Sequence, residues 1–195
     1  MALLELSMGG IIGIIIAVVI LILLISVLGW WISTGNRLKR ETVKIEEAAS
    51  GIDVALTKRF DLLTKSVATV KGYAKHEAET LEKVIAQRAP SKGASMAEKG
   101  EFAASVTKAF DSINIVAERY PELKANANFS ALQNQISEVE EQLQASRRVY
   151  NSNVSVFNQE ILVFPTSVVA NHLRMVKRDF FEAESKKRED VKIEF

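Results

Sequence analysis

The chain has 195 residues, with 25 Lys plus Arg, 24 Asp plus Glu, two His and no Cys. The missing cysteine excludes disulfide scaffolds, thiol nucleophiles and Cys-ligated metal sites, and the formal net charge of +1 excludes a global basic field for nucleic acid. Glu5 is the only charged residue before Arg37, and the other 48 follow. The sequence therefore divides into an apolar region, residues 1–36, and a charged remainder with the composition of a water-soluble domain.

Residues 11–32 form an apolar run without charge, about 33 Å long as a helix, which is enough to span a bilayer once. No Lys or Arg precedes the run and no small-residue cleavage site follows it, so we interpret it as an uncleaved anchor and not as a signal peptide. Trp30 and Trp31 close the run. Four basic residues follow at the expected membrane interface: Arg37, Lys39, Arg40 and Lys44.

The position of these basic residues predicts the orientation of the anchor. The single apolar run predicts a single-pass protein. By the positive-inside rule its short N-terminus is outside and its large C-terminal domain is cytoplasmic. The lipid bilayer is then a partner, and the basic residues can also bind anionic headgroups.

A stripe of small residues lies on one face of the predicted anchor. Gly9, Gly13 and Ala17 recur at every fourth position. Small side chains at this spacing let a second membrane helix approach closely, so this stripe predicts self-association into a homo-oligomer.

Beyond the anchor, the pattern predicts an all-α bundle in residues 37–179 and a C-terminal tail in residues 180–195. Only three prolines occur, and no glycine follows Gly100, which favours long helices with few joints. Apolar residues recur at steps of three or four throughout. The predicted helices cover about residues 37–89, 95–119, 128–164 and 167–177.

These helices are expected to form an elongated antiparallel bundle of three long helices with a short fourth helix. Ser95 and Glu98 form a capping box for the second helix, and Asn128 is the predicted N-cap of the third. Thr166 or Ser167 is expected to cap the fourth. The apolar stripes could also pair between subunits as a coiled coil, but the short joints favour packing within one chain.

Two glycines interrupt the predicted first bundle helix. Gly51 and Gly72 each cost about 1 kcal/mol relative to Ala inside a helix. The interpretations left open are close packing of another helix at these points or a flexible point in the long helix. A bend at residues 34–36 is the expected joint if the anchor and the bundle helix are not coaxial.

Chemical motifs are missing from the sequence. His76 and His172 have no second ligand one helical turn away, and the sequence contains no Gly-rich phosphate-binding loop and no nucleophile elbow. We therefore predict no catalytic residue, no metal site and no cofactor.

The sequence resembles the bacterial LemA family over nearly its whole length. The residues that carry the resemblance are IEEA at 45–48, GIDV at 51–54, RFDL at 59–62, VKGYAKHE at 70–77, TLE at 80–82, AERYPELKAN at 117–126, ASRRVYN at 145–151, FP at 164–165 and FFEAE at 180–184. The resemblance implies one N-terminal membrane helix that carries an antiparallel bundle, in the inner membrane of a bacterium. The chain departs from the family at Phe60, where His is usual, and at residues 64–65, where Pro-Asn is frequent.

Two functional hypotheses follow. The first is a non-enzymatic, membrane-anchored scaffold that self-associates and organises or remodels the membrane at its cytoplasmic face. The second is an adaptor or signalling module that binds another membrane protein, such as a protease or sensor, through the bundle surface or the tail at 180–195.

Overall fold

The computed structural model describes residues 8–74, 90–91 and 93–182. Regular structure in these residues is entirely helical, which confirms the all-α class and the long apolar helix at the N-terminus. The helices are α1 (Met8–Lys71), α2 (Met96–Arg119), α3 (Pro121–Lys124), α4 (Ala127–Glu160) and α5 (Thr166–His172). The chain divides into a first unit, residues 1–42 and 157–177, and a second unit, residues 43–156 and 178–195.

Helix α1 is 64 residues long and contains no proline, so nothing in its backbone breaks the hydrogen-bond ladder. The helix continues through residues 34–36, so no turn or loop interrupts it at the expected joint. The helix ends at Lys71 because the chain turns at Gly72, whose N–H donates to the Thr69 carbonyl. The prediction that this helix continues to residue 89 therefore differs from the structure at residues 72–74, and residues 75–89 lie outside the described residues.

Helix α2 begins with the capping box that the sequence predicts. The Glu98 N–H donates to Ser95 Oγ over 3.2 Å, and the Ser95 N–H donates to Glu98 Oε2 over 2.7 Å. The Ser95 hydroxyl also donates to this carboxylate, over 2.9 Å. The hydrogen bond from the Ser95 N–H, and to a smaller extent the one from the Ser95 hydroxyl, lower the pKa of Glu98 because they favour its charged form.

The lowered pKa of Glu98 predicts a pH dependence of stability. The capping box stabilises the fold above the ordinary pKa of 4.5, and this contribution disappears as pH falls through the lower pKa of the folded state. We expect Glu98→Gln to unfold at a lower temperature than the wild type at neutral pH, and the difference to shrink below pH 4.5. Thermal unfolding followed by circular dichroism across this range measures the effect, and a difference independent of pH would contradict it.

The N-cap of α4 is Asn126, not the predicted Asn128. Asn126 Oδ1 accepts hydrogen bonds from the N–H groups of Asn128 and Phe129 over 2.8 and 3.1 Å. Asparagine satisfies free N–H groups equally well at either position, and the short helix α3 fixes which one precedes the first turn. The sequence analysis did not predict α3, whose first residue is Pro121.

The last two helices are shorter than predicted. Helix α4 ends at Glu160, before residue 164, and α5 ends at His172, before residue 177. Pro165 precedes α5, and no side chain caps this helix, so neither Thr166 nor Ser167 has the predicted capping role. Pro165 lacks an N–H and so favours a turn before it over a continued helix.

In the second unit, α1 and α4 run antiparallel. Lys58 on α1 donates to Gln142 on α4, and Asn153 near the other end of α4 donates to the carbonyl of Lys44. The residue numbers therefore rise along one helix as they fall along the other.

Helix α2 runs in the same direction as α1. Asp53 meets Lys99, and further along both helices Arg59 meets Thr107. The prediction placed this helix antiparallel to the first. That prediction assumed a short joint between the two helices, whereas 24 residues separate Lys71 from Met96.

The core of the second unit lies between these three helices, and most of the predicted apolar stripes are buried in it. The best buried positions of the stripes are Ile52, Leu63, Val70, Val106, Ile113, Leu143 and Val154. Phe157 and Ile161 of the α4 stripe are buried in the first unit. Phe164, placed on the same stripe by the sequence pattern, is instead 78% exposed because the helix has already ended.

Candidate functional site

The apolar run at residues 11–32 lies on the part of α1 that belongs to the first unit. Among the described residues, α1 is the one helix whose length and composition would allow it to cross a membrane, and none of its most apolar stretch is buried. Its large side chains are between 38% exposed at Trp30 and 62% exposed at Leu24, apart from half-buried Trp31. A helix with apolar side chains on all sides and no protein cover is consistent with a membrane anchor.

The small-residue stripe has no partner among the residues that the structure describes. Gly9, Gly13 and Ala17 are all exposed, and a Cβ added at Gly13 would meet nothing within 4 Å. The stripe is thus accessible to a second helix.

The predicted interface residues lie on α1 just after the apolar run. Trp31 packs edge-on against His172 of α5, with ring centroids 5.4 Å apart. Arg37 lies 3.4 Å from Glu160 of α4 as an ion pair without hydrogen-bond geometry. Lys39 and Arg40 are exposed and belong, like Arg37, to the first unit, whereas exposed Lys44 belongs to the second.

Helix α5 packs on α1 at Gly35. A Cβ built on Gly35 would lie 3.6 Å from Leu173 Cδ1 and 3.8 Å from Val169 Cγ1. Val169 and Ala170 are fully buried. The short helix is therefore fixed to α1 between Trp31 and Arg37.

The second unit contains a buried arginine that the stripe analysis missed. Arg59 is 3% exposed, and its Nη2 lies 2.8 Å from Glu140 Oε2 on α4 and 2.9 Å from Thr107 Oγ1 on α2. Its Nη1 donates to the Ala103 carbonyl over 3.3 Å, while its Nε has no hydrogen-bond partner. Burial lowers the pKa of Arg59; Glu140 opposes this shift and Arg147 adds to it. This side chain joins all three long helices.

A second buried charge lies on α2, and its partner Asp53 lies on α1 six residues before Arg59. Lys99 is 2% exposed, and its Nζ lies 2.6 Å from Asp53 Oδ1. Arg59 lies three residues after Leu56, and Lys99 lies three before Phe102, so both follow the apolar spacing of their helices. A basic residue at the spacing of an apolar stripe was therefore the sequence signal that could have predicted these buried ion pairs.

The chain after α5 returns to the second unit and binds the bundle through residues 179–182. Tyr150 Oη donates to the Asp179 carbonyl, and Asn151 both accepts from the Phe181 N–H and donates to the Phe181 carbonyl. The Phe181 ring is 2% exposed and lies 4.8 Å beneath the guanidinium of Arg147. We call residues 179–182 the C-terminal strap.

The strap includes the first three residues of the tail at 180–195, which was predicted as a possible adaptor surface. Phe181 is occupied by contacts within its own chain, whereas Phe180 is 44% exposed. Residues 183–195 lie outside the described residues.

The two glycines of α1 have different surroundings. A Cβ on Gly51 would lie 3.4 Å from Ser146 Oγ on α4, which is ordinary contact and favours the close-packing interpretation. Gly72 lies at the turn after α1, and a Cβ there would approach only the Thr69 carbonyl, at 3.4 Å.

This geometry predicts opposite effects of two substitutions at Gly51. We expect Gly51→Ala to raise the free energy of unfolding by about 0.5–1 kcal/mol, because Ala favours the helix and its methyl group fits. Gly51→Leu should lower it by about 1–3 kcal/mol by overpacking against Ser146. Urea unfolding measures both, with Ser50→Leu at an exposed position as the control. Destabilisation by alanine would instead favour a flexible point.

Surface clefts occur in the described part of the second unit. A cleft of about 260 Å³ is lined by Asp53, Val54 and Thr57 of α1 with Pro90, and another of about 550 Å³ is lined by Asn114 and Phe129 among others. Among the residues that the structure describes, no group of three or more His, Asp or Glu side chains is placed to hold a metal ion.

The fold and surfaces described above define a class: an all-α protein with a long exposed apolar helix and a helical core crossed by buried charges. The model of the LemA family matches residues 48–195, and the chain belongs to this family. It is also 29% identical to Protein LemA of Metamycoplasma hominis over 163 residues, which covers 83% of this chain and 74% of that protein.

Family membership gives structural meaning to several residues of the resemblance. Tyr150 and Asn151 of the ASRRVYN segment bind the strap backbone at Asp179 and at Phe181 of the FFEAE segment. Leu123 of the AERYPELKAN segment is fully buried. Phe60, where His is usual, packs against Phe102 with centroids 5.9 Å apart. These positions serve the fold.

Proposed function

We propose that the protein is a non-enzymatic membrane-anchored scaffold that self-associates and organises or remodels the membrane at its cytoplasmic face. The observation that carries this proposal is the stretch at residues 11–32, whose apolar side chains are exposed apart from half-buried Trp31, although it belongs to the same helix as core residues of the bundle. The LemA family is not known as a family of enzymes, which supports a role through shape and association.

The unpartnered small-residue stripe supports self-association. Gly13 and Gly29 provide a matched test, because both have open space at the Cβ position and they lie about 160° apart around the helix. Full-length protein in mild detergent should be an oligomer, and Gly13→Leu should dissociate it while Gly29→Leu does not. A strictly monomeric wild type, together with vesicles left unaltered in electron micrographs, would contradict the scaffold.

Crosslinking of the full-length protein distinguishes the scaffold hypothesis from the adaptor hypothesis. Crosslinking in cells should recover links between copies of this chain. Recovery of a stoichiometric heterologous membrane protein, with no links between copies, would favour the adaptor that binds through the bundle surface or the tail.

The proposed location is the bacterial inner membrane, with the bundle in the cytoplasm. It rests on the exposed cations Arg37, Lys39 and Arg40 directly after the apolar run. A reporter fused after Phe195 should be active when its activity requires the cytoplasm, and activity only outside the cytoplasm would reverse the orientation.

A further inference from the structure

The turn between α4 and α5 exposes three consecutive large apolar side chains in the first unit. Leu162 is 58% exposed, Val163 60% and Phe164 78%, and Val168 on the first turns of α5 is 47% exposed. The large aliphatic side chains of residues 11–32 are between 45% exposed at Ile11 and 62% at Leu24, so Leu162, Val163 and Val168 fall in the same range and Phe164 is more exposed. Contiguous exposed apolar residues of this kind mark a contact site.

The position of the turn is fixed by contacts on both sides of it. Before the turn, Glu160 pairs with Arg37 of α1. After it, Val169 contacts Gly35 and His172 contacts Trp31. Gly35 and Trp31 lie about 3 and 9 Å closer to the apolar run than Arg37 does, along the helix axis. The turn and α5 are therefore held beside residues 31–37 of α1, where the apolar run ends and the basic residues begin.

The charge of this segment matches a membrane surface. Residues 161–177 include no Asp or Glu, and their charged residues are Arg174 and Lys177, both exposed. Apolar side chains that enter the boundary of headgroups and acyl chains, with cations that remain beside them in the headgroup layer, are typical of interfacial segments.

We propose that residues 162–164 with Val168 form a second lipid-contact element, which inserts into the interfacial layer of the bilayer beside the anchor. This inference rests on the proposed membrane anchor, because the anchor is what brings the turn to a lipid surface. The element gives α1 a second attachment at the same level and so restrains its tilt and rotation in the bilayer.

Three valines with nearly equal exposure allow a matched test. Val27 on the apolar run is 59% exposed, Val163 in the turn 60%, and Val149 on α4 of the bundle 54%. Because the chain has no cysteine, the variants Val27→Cys, Val163→Cys and Val149→Cys each carry a single environment-sensitive nitrobenzoxadiazole label. The full-length variants are reconstituted in vesicles of phosphatidylethanolamine and phosphatidylglycerol, with nitroxide lipids labelled either near the headgroup or at mid-chain.

We expect the label at 163 to emit at shorter wavelength than the label at 149 and to be quenched several-fold more by the headgroup-proximal nitroxide. The label at 27 should be quenched most by the mid-chain nitroxide. If 163 behaves like 149 while 27 is quenched, the inference is overturned and the anchor stands. If 27 is not quenched either, the anchor itself is wrong, and with it both proposals.

A second copy of this chain is the other possible cover for the turn. In that case the label at 163 would be shifted to shorter wavelength without quenching by lipid nitroxides, and the shift would be lost on dilution to one protein per vesicle. That outcome would overturn the lipid contact.

Discussion

Glu140→Gln should destabilise the protein more than Arg59→Met, although the two residues form one ion pair. Removing Glu140 leaves the charge of Arg59, which is 3% exposed, without its carboxylate partner. Removing one partner of a buried ion pair costs about 3–5 kcal/mol, and because Glu140 is itself 39% exposed we expect about 2 kcal/mol here. For a chain of this size the unfolding temperature should fall by roughly 4–8 °C.

Arg59→Met should change the free energy of unfolding by less than about 1 kcal/mol, because methionine fills the same apolar space and leaves no buried charge behind. The Ala103 carbonyl keeps a partner, since the Thr107 hydroxyl donates to it over 3.0 Å. Glu140 retains the nearby positive charge of Arg147.

Unfolding of the full-length variants in detergent measures both changes, and the double variant Arg59→Met, Glu140→Gln is the control. It should recover most of the stability that Glu140→Gln loses. A larger loss in Arg59→Met than in Glu140→Gln would show that the arginine stabilises the three helices by more than its desolvation costs.

Phe181→Ala is expected to release the C-terminal strap and to lower the free energy of unfolding by about 2–3 kcal/mol. Truncating a buried Phe costs about 3–5 kcal/mol in a closed core, and a segment at the bundle surface can relax and recover part of this. The variant also loses the contact of the Arg147 guanidinium with the ring, 4.8 Å from its centroid.

Amide hydrogen exchange gives the local readout. The Phe181 N–H donates to Asn151 over 2.8 Å, so its exchange should accelerate when the strap is released. Phe180→Ala is the matched control, because the neighbouring ring is 44% exposed and should change neither exchange nor stability appreciably. Equal effects of the two substitutions would mean that the buried ring does not hold the strap.

Much of this fold could be predicted from local sequence signals. The three-four apolar spacing predicts which faces of the long helices are buried, and the Ser95–Glu98 capping box marks the start of α2 to the residue. Such features depend on neighbours within about one helical turn, so they are visible in one dimension.

Other features depend on contacts distant in sequence. Phe164 follows the stripe of α4 in register, and only the turn before Pro165 makes it the most exposed large apolar side chain among the described residues. The direction of α2 relative to α1 depends on which residues meet across the bundle, and no local pattern encodes it. The candidate sites divide in the same way: the apolar run and its flanking cations are local signals, whereas the exposed turn beside residues 31–37 is not.

The sequence by itself determined the helical class, the apolar segment and the family, because hydropathy, helix periodicity and motif identity are properties of residues close together in the chain. Only the tertiary structure decided the roles of Arg59 and Lys99. In sequence a cation on a helix is a solvent-exposed residue by default; it becomes an interior residue only when carboxylates from other helices, here Glu140 and Asp53, lie near enough to compensate its desolvation.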